Sequence, residues 1–565
     1  MVKFFLLCLF LTTILCSWAD SSPEVAVLQG KVLGKYIETI SGRKIAAFLG
    51  IPYAEPPVGN LRFREPVPSK PWPGLLNATS VPNDCLQYSH YYYKMDDPVY
   101  GSEDCLYLNV YVPESPNVHK TNSLPVLINI HSGAFMFLSG STSGPEYLLD
   151  HNVILVTMNY RLGILGFLST EDDILPGNNG LKDQNLALKW VYDNIKAFGG
   201  DPGEITLSGL SAGAASTHYH ILSSRSKGLF KRAIILSGSA LCHWAQTENS
   251  KGKAETIANE MGCPVYDTEK MVDCLRNRPG KQIVQLTKLF MPWLYNPFTP
   301  FGPVIEHNRN NAFIDKLPSY LIRNKMVNDV PILFSLTEDE GLYPGAEILA
   351  YPKEVEYLND NWETVLPHLL DFNFTTHINK QSAVSKIIRN EYFGAYRVQD
   401  KKKALIEMIG DRVFKVPVSL TALYHAKYLS SDVYTIQFSY LGKTGLQERF
   451  NLSRDVYSGT SHADDLFYVL RAEDVNFDHI KESLEMSKRM VNLWMTFITG
   501  KPFKKKLLPL KKTLPDYSYL KVKSANPMDD EFITDPNYGR IRFWRKVNFH
   551  EDSRYNFIER PHDEL

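Results

Sequence analysis

The stretch Gly209-Leu210-Ser211-Ala212-Gly213 constrains this chain more than any other, because it lies between an apolar run, Ile205 to Leu207, and a helix-compatible run, Ala214 to Leu222. A serine on so sharp a strand-to-helix turn needs glycine on both flanks, since neighbouring backbone comes too close for a Cβ. The helix that follows points N–H groups at negative charge developing beside the serine. By chance, G-x-S-x-G turns up only about 0.1–0.2 times in a chain of this length. Its placement makes it a nucleophile elbow.

The rest of the chain repeats the same alternation. Candidate strands are Val126 to Ile130, Val153 to Met158, Ile205 to Leu207, Ala233 to Leu236, Ile332 to Leu336 and Val433 to Phe438. Between them, Leu186, Trp190, Val191, Ile195 and Phe198 have the spacing of an apolar helix face that ends at Gly199-Gly200. The pattern predicts an α/β fold with a large, mostly parallel sheet covered by helices on both faces. Regions 245–325 and 345–430 read as helical insertions, and no fixed repeat or Ser/Gly linker divides the 565 residues.

A serine hydroxyl is a weak nucleophile at neutral pH and needs a base, itself oriented by a carboxylate. After an elbow of this kind the chain order is serine, acid, histidine. Behind Ile332 to Leu336 comes Thr337-Glu338-Asp339-Glu340-Gly341, and spacing leaves the choice among its three carboxylates open. Of the fifteen histidines, His462 alone combines the right order with a small-residue loop after a strand. His218 and His220 lie on the serine's own helix and point along it. An oxyanion needs backbone donors, and the strand Val126 to Ile130 runs into His131-Ser132-Gly133-Ala134-Phe135.

The chain ends concern location. Lys3, the apolar run Phe4 to Leu15 and Ser17-Trp18-Ala19 read as a signal peptide over residues 1–19. About twelve apolar residues fall short of the roughly 20 that span a bilayer, and no later stretch spans either. His562-Asp563-Glu564-Leu565 is the tetrapeptide read by the retrieval receptor of the endoplasmic reticulum, so the expected location is its lumen, with secretion where retrieval saturates. In that oxidising compartment short loops favour Cys85 with Cys105 and Cys263 with Cys274, leaving Cys242 as a buried thiol. Sequons at Asn77, Asn373 and Asn451 predict exposed loops if glycosylated. No cysteine or histidine spacing suggests a metal site, and 61 basic against 62 acidic residues argue against a partner bound through nucleic-acid phosphates.

Two longer strings carry a resemblance. Phe198 to Gly213 (FGGDPGEITLSGLSAG) and Glu103 to Pro113 (EDCLYLNVYVP) are similar to the two signatures of the type-B carboxylesterase and cholinesterase branch of the α/β-hydrolases. Ala47 to Arg64, Asn159 to Gly166, Asn179 to Gln184 and Ile234 to Ser239 extend the likeness over essentially the whole mature chain. The resemblance implies an α/β-hydrolase domain over residues 20–561, with Ser211 as nucleophile, Glu340 as acid and His462 as base. It implies oxyanion donors at Gly133, Ala134 and Ala212, the same two disulfides, and no cofactor. The family's H-G-G-G or H-G-G-A is here His131-Ser132-Gly133-Ala134, which draws attention to the backbone at Ser132. Leu210 stands where cholinesterases have Glu and juvenile-hormone esterases Gln, and no tryptophan occurs between Trp72 and Cys105, so choline selectivity is not implied. The string looks most similar to general insect carboxylesterases acting on xenobiotic, odorant or lipid-like esters. The alternatives are a selective hormone or pheromone esterase and a non-catalytic binding protein on the same fold.

Overall fold

Runs of apolar residues buried on both faces pair as parallel strands. Seven do so at the centre of an eleven-stranded sheet in this computed structural model, which describes residues 22–547 and 549 apart from 115–122, 308–310, 473–474, 504–506 and 512–515. The segment expected to be a signal peptide, residues 1–19, and the C-terminal tetrapeptide lie outside the described residues. In chain order the strands are β1 (Lys35–Glu38), β2 (Lys44–Pro52), β3 (Tyr107–Pro113), β4 (Leu124–Ile130), β5 (Ile154–Met158), β6 (Gly200–Leu210), β7 (Arg232–Leu236), β8 (Ile332–Thr337), β9 (Val433–Phe438), β10 (Tyr517–Val522) and β11 (Glu531–Asp535). Their spatial order is β11-β10-β9-β8-β7-β6-β4-β5-β3-β2-β1. The pairs from β10 to β5 are parallel.

All six expected strands are present within one or two residues, except that β6 starts five residues early, at Gly200, and ends three residues late, at Leu210. The sheet is mixed, because antiparallel strands β3, β2 and β1 flank one side and β11 the other. The outermost strands, β1 and β11, are half-exposed and carry charge, so no continuous apolar run marks them. The expected helix is α1 (Asn179–Asn194), continued by one tight turn to Phe198. It stops at Gly199, whose left-handed φ of 84° lets its N–H reach back to Ile195 and Lys196. The helix that follows the Ser211 turn is α2 (Ala212–Leu222).

Region 345–430 is largely helical, including Ile378–Tyr392, whereas region 245–325 carries Ser250–Glu260 and Thr268–Arg276 but has no helix among the described residues between Phe290 and Pro318. Helix α4 (Lys402–Gly410) packs against α3 (Leu342–Ala350), which follows β8, and α5 (Val416–Tyr428) packs against β9. Cys85–Cys105 and Cys263–Cys274 are disulfide-bonded, and Cys242 is a free buried thiol. No described helix is long and apolar enough to cross a membrane.

Candidate active site

Ser211 leaves β6 with φ 57° and ψ −117°, a combination outside the usual wells for a residue with a side chain. Three glycines let the surroundings close in on it. A Cβ on Gly209 would lie 2.3 Å from the Gly213 carbonyl carbon, one on Gly213 2.1 Å from the Ile130 oxygen, and one on Gly238 2.3 Å from the Ser211 oxygen. The first two are the glycines of the sequence motif; Gly238, on the loop after β7, carried no local signal. The Ser211 N–H donates to the Leu236 carbonyl at 2.8 Å, which ties the elbow to β7.

The loop after β4 turns back on itself beside the serine. Gly133 has φ 100° and accepts from the N–H groups of Met136 and Phe137, so a Cβ there would come within 1.9 Å of the Phe137 oxygen. Its N–H and that of Ala134 (φ 55°) donate to no other group among the described residues. Ala212, as the first helical residue, has an N–H without an intrahelical acceptor. Ser132 lies outside the left-handed region, so the serine that departs from the family pattern strains nothing. His131 stacks on Tyr160 at 4.3 Å, and burial pulls it down to about 4, which keeps it neutral.

The three clustered carboxylates take three different directions. Glu338 pairs with Lys521 of β10 at 2.7 Å. Asp339 accepts from the Thr460 N–H at 3.0 Å and the Tyr457 hydroxyl at 2.9 Å, joining the acid loop to the histidine loop. Glu340, fully buried, places Oε2 2.7 Å from His462 Nδ1, while its Oε1 accepts from the Thr337 N–H at 2.7 Å and the Ser237 hydroxyl at 2.5 Å. A carboxylate that only accepts requires the proton on Nδ1, which leaves Nε2 with a lone pair. Helix α4 seats this loop directly on its backbone, for a Cβ on Gly341 would fall 1.9 Å from the Ile406 oxygen.

Ser211, His462, Gly133 and Ala134 line one cavity of about 840 Å³, counted out to its open mouth. Much of its remaining wall is apolar: Phe137, Leu210, Leu446, Phe467 and Val475. Below His462, the buried Asp465 accepts from the Ser335 hydroxyl at 2.6 Å, and burial raises its carboxyl to about 6. Sequence reading missed Ser237 and Asp465, although Ser237 falls inside the string Ile234 to Ser239.

The other candidates lie elsewhere. His218 Nδ1 accepts from the Ala240 N–H at 3.0 Å and its Nε2 is 2.8 Å from His425 Nε2; His220 contacts Gln184 and Ser226. Burial holds Cys242 up at about 12, so it is an uncharged thiol. Asn77 and Asn451 are exposed, whereas Asn373 is half-buried with its Oδ1 inside. Among the described residues, no group of three or more His, Cys, Asp or Glu could hold a metal ion.

Comparison with known proteins places this arrangement among relatives. The family model described as Carboxylesterase family matches residues 21–542. Venom carboxylesterase-6 of Apis mellifera is 40% identical over 557 residues, covering 98% of this chain and 99% of its own. Esterase FE4 of Myzus persicae is 43% identical over 495 residues, covering 87% and 86%. The crystal structure of juvenile hormone esterase from Manduca sexta, with OTFP covalently attached, superposes with a TM-score of 0.79 at 26% identity, over 93% of this chain and 99% of that one.

Proposed function

The chain belongs to the carboxylesterase family and is a serine carboxylesterase, and from that premise we propose that Ser211, His462 and Glu340 carry its reaction. Ser211 Oγ attacks the ester carbonyl while His462 Nε2 takes its proton. The tetrahedral oxyanion accepts from the N–H groups of Gly133, Ala134 and Ala212. Collapse expels the alcohol, which leaves with the proton held by His462, and a water activated by the same imidazole then hydrolyses the acyl-enzyme. Glu340 keeps the tautomer and stabilises the imidazolium.

The observation that carries this assignment is the 2.7 Å contact between His462 Nδ1 and Glu340 Oε2, made by residues 122 apart in sequence beside the elbow serine. Replacing Ser211 with alanine is expected to cut p-nitrophenyl acetate turnover by roughly 10⁴-fold or more and to abolish stoichiometric labelling by an organophosphate. Undiminished turnover in that variant would refute the assignment.

The apolar cavity wall favours neutral esters with hydrophobic acyl or alcohol groups. Rates across short, long and hormone-like esters test this preference, the last because a juvenile hormone esterase of Tribolium castaneum is 35% identical over 506 residues. We read residues 20–561 as one catalytic domain with two insertions, entering the secretory pathway through segment 1–19 and retrieved through His562-Asp563-Glu564-Leu565. The two disulfides suit that oxidising route. Exposed Asn77 and Asn451 are the better glycan acceptors, and peptide mapping after glycosidase treatment checks them against Asn373.

A further inference from the structure

Beside His462 runs an irregular helix that no motif announces. Helices α4 and α5 form one continuous run interrupted by a π-turn over Asp411–Lys415, where the Val416 N–H donates to the Asp411 carbonyl five residues back. Pro417 supplies a cause: it has no N–H for the Val413 carbonyl, and its ring would strike that carbonyl in a regular α-helix. The widened turn parts them, and the Val413 carbonyl instead accepts from the Trp244 indole N–H at 2.9 Å. Turns of this kind are rare and concentrate at functional sites.

The π-turn sets Phe414, fully buried, against the imidazole of His462, with ring centroids 4.4 Å apart and planes inclined by 31°. Trp244 packs edge-on to Phe414 at 6.1 Å and also meets Phe135 of the oxyanion loop at 6.4 Å. On the imidazole's other contacts, Tyr343 stacks at 5.5 Å and Glu340 holds Nδ1.

We propose that Phe414 is a positioning residue for ester hydrolysis: held by the π-turn, its ring fixes the rotation of His462 about the Glu340 contact and stabilises the imidazolium formed when Ser211 gives up its proton. A single hydrogen bond at Nδ1 leaves the imidazole free to swing, and a ring laid against it removes that freedom. An aromatic face also favours a cation over a neutral ring. Among the described residues, the ionisable groups that meet His462 are the Glu340 and Asp465 carboxyls and the Tyr343 phenol, and none is altered by changing Phe414. The proposal rests on reading His462 as the base.

The test uses the full-length protein and p-nitrophenyl acetate. Phe414→Leu keeps an apolar side chain without the ring, and Phe414→Tyr keeps the ring. The leucine variant is expected to lose roughly 10- to 100-fold in kcat with KM within about twofold. Its acid limb of kcat/KM should move to lower pH, because the imidazolium loses a partner, and the tyrosine variant should restore both. Trp244→Phe, which takes the indole N–H from the Val413 carbonyl, should move both readouts the same way by less. A folded leucine variant with unchanged kcat and acid limb overturns the proposal, as do equal losses in the leucine and tyrosine variants. His462→Gln separates the two layers: turnover surviving in it defeats the base assignment itself, whereas its loss beside a wild-type-like Phe414→Leu defeats only the role of Phe414.

Discussion

Two buried histidine settings lie close to Ser211 and the helix α2 that follows it, and they differ in what the imidazole touches. His462 is 4% exposed, His218 0% and His425 1%, so burial does not distinguish them. His462 meets a carboxylate on one nitrogen and a cavity with the other. His218 meets a backbone N–H and the neutral ring of His425, and desolvation pushes both members of that pair down, His425 to about 3. With Nδ1 of His218 accepting, its Nε2 must donate to His425. Burial alone makes a histidine a neutral core residue; a carboxylate partner and open access make it able to take and release a proton.

The strongest way to break this contrast is to remove the carboxylate. Glu340→Gln should lower kcat by about 10⁴-fold in steady-state assays while leaving the fold intact, because the amide no longer stabilises the imidazolium. His218→Leu is expected to do the reverse, costing about 2–3 kcal/mol in denaturant unfolding by stranding His425 and the Ala240 N–H, with kcat of the folded protein near wild type. The third measurement is stability against pH. Folded-state values below the usual 6.5 mean that the unfolded chain binds more protons, so the stability of this pair is present above about 6.5 and is lost as pH falls toward 3. A His218→Leu/His425→Leu double variant should flatten that acid slope, by up to about 1.4 kcal/mol per pH unit for each imidazole removed.

Asp465 should show the smallest effect and the opposite sign. Raised to about 6, it favours the folded state most below its unfolded value near 4, and that contribution is lost as pH rises through 6. Asp465→Asn should therefore gain about 1–2 kcal/mol relative to wild type between pH 4 and 7, after allowing for one weakened hydrogen bond. Chemical denaturation at the two pH values measures it.

Legibility followed the range of the forces involved. The elbow, the six inner strands and the stop at Gly199 were readable because each depends on neighbours within a few residues. Edge strands β1 and β11 were not read, since half-exposed antiparallel strands alternate too weakly to stand out, and the buried strands β2 and β10 next to them were not read either. Glu340 was chosen by family resemblance, not by spacing. Gly238, Asp465 and the π-turn were not read at all: Gly238 is needed only because β7 brings its loop against Ser211, and Asp465 is unusual only because it is buried under Ser335.

What the sequence determined by itself is therefore the turn at Ser211 and the class of sheet that carries it, because a strand-to-helix reversal around a side chain is limited by contacts between adjacent peptides. Only the tertiary structure decided where Glu338, Asp339 and Glu340 each point. Three carboxylates in a row are chemically near-equivalent until the register of β8 beside β9 and the seat of α4 on Gly341 turn one toward Lys521, one toward the Thr460 backbone and one toward His462. The same holds for Phe414, an ordinary apolar residue in sequence that gains a place beside the imidazole because Pro417 widens the turn carrying it and Trp244 receives the carbonyl this frees.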